Sequence, residues 1–292
     1  MVGLVSRGAF TTISQARMAA LDAGSWFLGF ILAVLSLPSL TSLAAGLEAI
    51  QHVKPSVVAI GTFQKTRSPS FSFMGTGFAV GDGSFVTTNA HVVPGIIDKE
   101  HREVLVIAVP GSDPTNGAQL REARVVAVDR DYDLAVLRIE GQKLPPLTLG
   151  DSSKVREGQG YLFTGYPLGT VLGLFPVTHQ GMVSAIAPIA IPSANATQLD
   201  ARTVKRLSTG AYPILQLDGT AYPGNSGSPL YQTDTGEVIG VINMVFVKGT
   251  KESAITHPSG ITYAVPIQPL KDLPRMEDRP VLLSYLGKGS LA

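Results

Sequence analysis

The segment Gly224-Asn225-Ser226-Gly227-Ser228-Pro229 is the feature that most constrains the fold of this chain. It places a serine between glycines, whose backbone freedom allows successive amides to point at one oxygen atom. The prolines on either side of the turn fix φ and help to hold that geometry. Such a turn can supply a nucleophile and the donors that stabilise an oxyanion. We predict an oxyanion hole from Gly224, Asn225 and Ser226, with the amides of Gly224 and Ser226 as its donors.

A serine alone is a weak nucleophile at neutral pH, so this prediction requires a histidine base and a carboxylate that orients it. His91 follows an alternating apolar run and the turn Gly81-Asp82-Gly83, which together predict a β-hairpin with His91 near a strand end. Asp133 opens an apolar strand, so its side chain is expected at the edge of a core. The order His91, Asp133, Ser226 is that of chymotrypsin-type enzymes and differs from the order in α/β-hydrolases and subtilisins.

Several separate segments then carry a resemblance to a known family, in the correct order from about residue 50 to 270. They are Gly75–Phe78, Thr88–Val93, Asp131–Leu137, Gly165–Gly169, Gly181–Ser184, Gln216–Asp218 with Pro223–Gly227, and Ile261–Pro266. In these segments the chain resembles the trypsin-like serine peptidases, most closely the bacterial HtrA/Deg-type group. The resemblance implies a double β-barrel with its active site in the cleft between the barrels. It also implies a serine endopeptidase that cleaves exposed or misfolded polypeptides through an acyl-enzyme.

Two departures from the HtrA-type pattern stand out. Ser228 lies where many members carry a second glycine, but glutamyl endopeptidases of the same fold share Asn-Ser-Gly-Ser-Pro, so the expected activity is unaffected. Only about two dozen residues follow the closing strand, so we expect no PDZ domain.

Composition favours an all-β fold. The chain has 292 residues, 45% of them hydrophobic, which is enough for a large core, and its 31 glycines and 20 prolines indicate many turns between short strands. The predicted strands of the first barrel are 56–61, 77–80, 85–88, 104–109, 124–128 and 133–139. Those of the second barrel are 160–165, 175–186, 214–217, 229–231, 238–247 and 262–265, followed by a short helix at 267–276. The expected domains are a targeting segment at 1–47, a peptidase domain at 48–276 with barrels at about 48–150 and 158–270, and a tail at 277–292.

Charge and metal-ligand patterns exclude several other functions. The net charge is +1 and the longest basic run is Lys205-Arg206, so the electrostatic footprint of a nucleic-acid-binding protein is missing. The chain has no cysteine, which excludes a disulfide framework and thiolate metal sites. No His-Glu-x-x-His motif or carboxylate cluster indicates a metal site, and we predict no cofactor. The sequence does not imply an oligomer and does not exclude one.

The amino-terminal region predicts export. The segment Trp26 to Leu47 contains no charged residue and follows Arg7 and Arg17, a pattern typical of a targeting signal. A cleaved signal peptide and a retained membrane anchor at 26–47 both remain open. A buried helix of the fold is the weaker alternative, because the family resemblance starts only near residue 50. Export leaves the catalytic part in the periplasm or outside the cell.

The resemblance also places two segments around the pocket for the residue before the scissile bond. They contribute Thr220, Ala221 and Tyr222 before the nucleophile, and Ile242 and Asn243 on the following strand. Neither segment contains an acid that would pair with lysine or arginine. We therefore predict a moderate preference for valine, alanine, isoleucine or leucine.

Other residues compete for these roles less well. His52, His101, His179 and His257 lack neighbours comparable to those of His91, and we interpret them as structural. A trypsin-like peptide-binding module without catalysis is the alternative function. The intact set of His91, Asp133 and Ser226 argues against it, because pseudo-enzymes usually lose one of these groups.

Overall fold

The computed structural model describes residues 38–109, 118–169, 173–188, 212–243 and 260–272. These residues form two closed antiparallel barrels of six strands each, which confirms the predicted all-β double barrel. In the first barrel the spatial order is β1-β2-β3-β6-β5-β4, and in the second it is β10-β11-β12-β9-β8-β7. The strands are β1 (Val57–Phe63), β2 (Phe71–Val80), β3 (Phe85–Asn89), β4 (Val104–Val109), β5 (Gln119–Asp129), β6 (Leu134–Ile139), β7 (Gly160–Gly165), β8 (Val177–Pro188), β9 (Pro213–Asp218), β10 (Pro229–Gln232), β11 (Val238–Asn243) and β12 (Ile261–Pro266).

Each barrel has its own apolar interior, and a third apolar cluster joins the two barrels. The first interior includes Val58, Ile60, Val86, Ile107 and Leu137. The second includes Phe163, Val183, Leu217, Leu230 and Ile239. The joining cluster takes residues from both barrels, among them Val57, Phe78, Leu162, Tyr231 and Val241. Strands that contribute to an interior and to the joining cluster are buried on both faces, as β11 is along its whole length.

The described residues also contain two α-helices. Helix α1 (Pro38–Val53) ends with Ala49 and Val53 buried, and Gly236 in the turn between β10 and β11 lies directly against them. The chain divides into two compact units, Met1–Ala45 and Gly46–Ala292, so the buried end of α1 belongs to the second unit. Helix α2 (Gln268–Asp272) follows β12 and covers part of the predicted closing helix.

The predicted targeting segment falls largely outside the described residues, since these begin at residue 38. Within the described part of the chain, no helix combines the length and apolar character needed to cross a membrane.

Candidate active site

His91 lies in a single 3-10 turn, Ala90–Val92, that begins where β3 ends. The turn is fastened to the backbone of Asp133, because the Ala90 amide and the Asn89 side-chain amide both donate to its carbonyl oxygen, at 3.0 and 3.1 Å. Since β3 pairs with β6, the end of one strand and the start of the other lie side by side. The pairing of β3 with β6 therefore brings the backbones of His91 and Asp133 close together.

The Asp133 carboxylate holds His91 at two points. Its Oδ1 accepts the His91 backbone amide at 2.9 Å, and its Oδ2 lies 2.6 Å from Nδ1 of the imidazole. An ionised carboxylate only accepts hydrogen bonds, so Nδ1 carries the proton and Nε2 is the basic nitrogen. Asp133 adopts a left-handed backbone conformation, φ 54°, at the turn into β6. The side chains of His91 and Asp133 are 32% and 18% exposed, so the imidazole remains accessible to a reactant.

Asn243 provides a further donor to this carboxylate. Its side-chain amide lies 2.7 Å from Oδ2 of Asp133, and the residue is fully buried at the end of β11. The sequence places Asn243 in the wall of the substrate pocket, whereas the structure directs its amide at Asp133. The resemblance gives only its approximate position on the strand, and the direction of the side chain depends on the register between the two barrels.

The nucleophile loop, residues 220–228, connects β9 with β10. Gly224 and Gly227 have φ of 104° and 88°, conformations that strongly favour glycine. Ser226 is 6% exposed. A side chain on Gly75 of β2 would meet both Val92 and the carbonyl oxygen of Ser226. Ser226 is thus placed beside the turn that carries His91.

Thr76 of β2 fastens this loop to the first barrel. Its amide donates to the Ser226 carbonyl at 2.9 Å, and its hydroxyl donates to the Gly224 carbonyl at 2.7 Å. The Tyr166 amide donates to the same hydroxyl at 3.0 Å, and Thr88 donates to the Thr76 carbonyl at 2.7 Å. Thr76 lies in the motif Gly75–Phe78, which does not indicate this role, because the contacts of Thr76 with the nucleophile loop arise only when the two barrels are assembled.

The predicted oxyanion donors differ in their surroundings. The Asn225 amide donates to the Tyr222 carbonyl at 2.9 Å, closing a turn inside the loop. Asn225 belongs to the predicted oxyanion-hole turn, but its N–H is already engaged and is not among the two predicted donors. The Asn225 side chain is fully buried, and neither its oxygen nor its nitrogen has a partner in the described part of the chain. Gly224 and Ser226 remain the proposed donors.

The other predicted pocket residues fall into two groups. Ala221 and Ile242 belong to the buried interior of the second barrel, and the Ala221 amide donates to the Thr262 hydroxyl at 2.9 Å. Thr220 and Tyr222 are partly exposed. The Tyr222 ring lies 6.2 Å from that of His179, which itself stacks on Phe163.

A second pair of histidine and aspartate shows that the two-point contact alone does not identify a site. His101 donates its amide to Oδ1 of Asp98, and its Nδ1 lies 2.7 Å from Oδ2. The hydrogen bonds from His101 hold the pKa of the Asp98 carboxyl below its ordinary value. Both side chains are largely exposed, at 64% and 48%. What distinguishes His91 is the buried Asn243 donor and the adjacent nucleophile loop.

Comparison with known proteins agrees with this geometry. A family model described as a trypsin-like peptidase domain matches residues 75–241, more than half of the chain. A protein of Halomonas elongata named probable periplasmic serine endoprotease DegP-like is 33% identical over 201 residues, which cover 68% of this chain and 34% of that protein. A protein of the same name from Pseudomonas putida (strain GB-1) is 31% identical over 217 residues, covering 73% of this chain and 37% of that protein. The chain thus spans roughly a third of the length of these relatives.

Solved structures show the same fold. The structure titled HtrA-type protease AlgWS227A with tripeptide is 24% identical with a TM-score of 0.56, covering 85% of this chain and 73% of that one. For HtrA-type protease AlgW with decapeptide the identity is 23% and the TM-score 0.56, with 80% of this chain and 67% of that one covered. Together with the family model and the sequence relatives, these findings show that the chain belongs to the trypsin-like serine peptidase family, in its HtrA-type group.

Proposed function

We propose that this chain is a serine endopeptidase in which Ser226, His91 and Asp133 form the catalytic triad. The observation that carries the proposal is the double contact between Asp133 and His91, which leaves Nε2 of His91 as a base beside the loop of Ser226. The buried Asn243 amide holds the carboxylate from the other barrel. The order of the three residues in the chain, and the family to which the chain belongs, support the same assignment.

In the proposed reaction Ser226 Oγ attacks the carbonyl carbon of the scissile bond while His91 Nε2 takes the hydroxyl proton. The carbonyl oxygen becomes an oxyanion that the Gly224 and Ser226 amides stabilise. Collapse of this intermediate breaks the C–N bond, and His91 returns the proton to the leaving amine. Water then attacks the acyl-enzyme with His91 again as base, releasing the acid and restoring Ser226. Throughout, Asp133 holds the imidazole in one tautomer and stabilises its protonated form.

We propose exposed or misfolded polypeptides as substrates, since an extended chain is the form that reaches a serine in a cleft between barrels. A moderate preference for aliphatic residues before the scissile bond remains part of the proposal, with Thr220 and Tyr222 as its partly exposed walls. The relatives are named as periplasmic proteins, which supports export of this chain. We propose residues 48–276 as the catalytic domain and residues 1–47 as the targeting segment.

A fluorophosphonate probe tests the assignment, because it labels only an activated serine. We expect labelling of the folded wild type and none of Ser226→Ala, with hydrolysis of an unfolded protein reduced on the order of 10⁴-fold or more. His91→Ala should lose activity in the same way. His101→Ala is the matched control, since it removes the exposed histidine with the same aspartate contact and should stay active. An unlabelled, inactive wild type would instead indicate the catalytically silent binding module, and an active Ser226→Ala variant would contradict the triad.

A further inference from the structure

The Thr262 hydroxyl of β12 holds the start of the nucleophile loop in place. It accepts the Ala221 amide at 2.9 Å and donates to the Gly219 carbonyl at 2.6 Å. Thr262 is fully buried, and its partner in the sheet is Leu217, which precedes the residues that its hydroxyl contacts. Residues 219–221, which we call the pocket bend, therefore fold back over the Thr262 side chain.

The pocket bend depends on this hydroxyl for both of its hydrogen bonds. A threonine hydroxyl can donate one hydrogen bond while it accepts another, and Thr262 does both within three residues of one segment. Ala221 is buried, so water cannot readily replace the hydroxyl as the partner of its amide. Leaving a buried amide without a partner is costly. Removal of the hydroxyl should therefore displace the bend.

Gly219 holds the pocket bend against β8 on its other side. A side chain on Gly219 would lie 3.1 Å from Cα of Gly181 and 3.2 Å from the carbonyl oxygen of Gln180. The Gly219 amide also donates to the Gly260 carbonyl at 3.0 Å. The bend is thus held between β8 and β12. Thr220 is its middle residue, with a hydrogen bond to the same hydroxyl on either side.

We propose that Thr262 is a positioning residue for substrate specificity, whose hydroxyl fixes Thr220 as a wall of the pocket for the residue before the scissile bond. The proposal rests on the proposed peptidase function. Thr220 is partly exposed, whereas Thr262 is fully buried and acts on a substrate only through the bend. Loss of the hydroxyl should therefore change which side chains bind well, while the attack by Ser226 continues.

Two conservative variants separate the hydroxyl of Thr262 from its volume. Thr262→Val keeps the shape and removes the hydroxyl, whereas Thr262→Ser keeps the hydroxyl and removes a methyl group. The substrates are two peptides built on a site that the wild type cuts in an unfolded protein, with valine or alanine before the scissile bond. We expect Thr262→Val to lower the valine-to-alanine ratio of kcat/KM about 10-fold, since each methylene in a fitted pocket contributes roughly 10-fold or more to discrimination. Thr262→Ser should keep the wild-type ratio.

The kinetic form of the change distinguishes positioning of the pocket from damage to the triad. Loss of binding that the ground state and the transition state share raises KM and leaves kcat unchanged, which we expect for the valine peptide. The alanine side chain occupies little of the pocket, so kcat/KM for the alanine peptide should stay close to its wild-type value in Thr262→Val. Fluorophosphonate labelling of Ser226 should also be unchanged.

Thr164 provides the matched control for loss of a buried hydroxyl. It too is fully buried in the second barrel, and its hydroxyl lies 2.8 Å from those of Thr178 and Tyr231. Thr164→Val should lower Tm but leave the valine-to-alanine ratio unchanged. The same fall in this ratio in Thr164→Val would show that lost stability, and not the pocket bend, alters selectivity.

Gly219→Ala displaces the pocket bend from the side of β8 and decides the question if Thr262→Val does not fold. It should lower the valine-to-alanine ratio in the same direction. The wild-type ratio in a folded Thr262→Val, or in Gly219→Ala when Thr262→Val does not fold, would overturn the proposal. So would an equal loss in Thr262→Ser, or a wild type that cleaves both peptides equally well. An unlabelled, inactive wild type, or hydrolysis by Ser226→Ala, would contradict the proposed function itself.

Discussion

Asn243 and Asp133 meet across the two barrels, with the Asn243 side-chain amide 2.7 Å from Oδ2 of Asp133. The same oxygen contacts Nδ1 of His91 at 2.6 Å. Asp133 precedes β6 of the first barrel, and Asn243 ends β11 of the second. The orientation of the Asp133 carboxylate therefore depends on how the barrels pack, and not on the first barrel alone.

Asn243→Ala should lower kcat/KM by about 10-fold. A hydrogen bond to a charged group contributes roughly 1.5–3 kcal/mol, and we expect part of this free energy to help Asp133 hold His91 in its reactive orientation. Asn243→Asp should be worse, since it places a second carboxylate beside the first. Both are measured as initial rates on an unfolded protein substrate, with circular dichroism to verify the fold.

Ser is the conservative replacement at this position. Asn243→Ser retains a hydrogen-bond donor on a shorter side chain. This variant should keep part of the activity that Asn243→Ala loses. Equal kcat/KM in wild type and a folded Asn243→Ala variant would show that the contact has no catalytic consequence.

Gly165→Ala should destabilise the protein and disturb the nucleophile loop. The added methyl would overlap the Ser228 hydroxyl and lie 2.8 Å from Oδ1 of Asn225 and 2.9 Å from Oγ1 of Thr76. Overpacking of this kind typically costs 1–3 kcal/mol, and here all three neighbours are buried. We expect a lower Tm together with a loss of fluorophosphonate labelling.

Two further variants make this prediction specific. Gly160→Ala changes a glycine on the same strand, where the nearest atom to an added methyl is 3.8 Å away, and should be close to wild type. Adding Ser228→Gly to Gly165→Ala removes the main overlap and should restore part of the Tm. A Gly165→Ala variant as stable as Gly160→Ala would show that the loop is not packed in this way.

The strands that the sequence predicts best are those with a local apolar pattern. Val104–Val109 and Gly160–Gly165 are found with the predicted bounds. The first half of β2 is missed, since the predicted strand covers only residues 77–80. In the structure Phe71 and Phe73 pair with Phe63 and Gly61 of the preceding strand β1, so the pairing of the two strands extends β2 beyond the predicted segment.

The site divides in the same way. The sequence motifs around His91 and Asp133 are enough to suggest the roles proposed for them, since both residues lie at the ends of paired strands of one barrel. The roles of Asn243 and Thr76 arise from contacts between elements 110 to 150 residues apart in the chain. Hydrophobic periodicity reports which face of a strand is buried, but it does not report which polar partner that face will meet.

His179 should make the stability of the protein depend on pH. Its ring stacks on Phe163 with centroids 5.0 Å apart, and burial lowers its pKa below the ordinary value. The neutral form is therefore favoured in the folded state. The contribution of neutral His179 to the stability of the fold is complete above the pKa of the unfolded chain, about 6.5. It is lost as the pH falls through the lower pKa of the folded state. His179→Phe keeps an aromatic ring and removes this titration.

We expect Tm to fall less between pH 7 and pH 5 in His179→Phe than in wild type, measured in the Ser226→Ala background to prevent self-cleavage. His101→Phe removes a histidine with a largely exposed side chain and should keep the wild-type slope. Identical slopes for wild type and His179→Phe would show that the imidazole is not buried as described.

Truncation within helix α1 should separate the proposed targeting segment from the folded domain. Leu47 is 57% exposed, whereas Ala49 and Val53 are buried against the second barrel. Deleting residues 1–47 should therefore leave Tm and activity close to those of the full chain. Deleting residues 1–53 also removes the buried side chains of Ala49 and Val53. This deletion should lower the free energy of unfolding by about 2–4 kcal/mol.

The buried Val53 and the exposed Leu47 also provide a matched pair of point variants. Val53→Ala should lower Tm by several degrees, since 1 kcal/mol corresponds to roughly 2–4 °C in a domain of this size. Leu47→Ala changes an exposed residue on the same helix and should leave Tm unchanged. If the two deletions have the same Tm, the end of α1 contributes nothing to the fold. If the 1–47 deletion is folded but inactive, the amino-terminal segment contributes to the site or to assembly, and its assignment as a targeting segment alone is wrong.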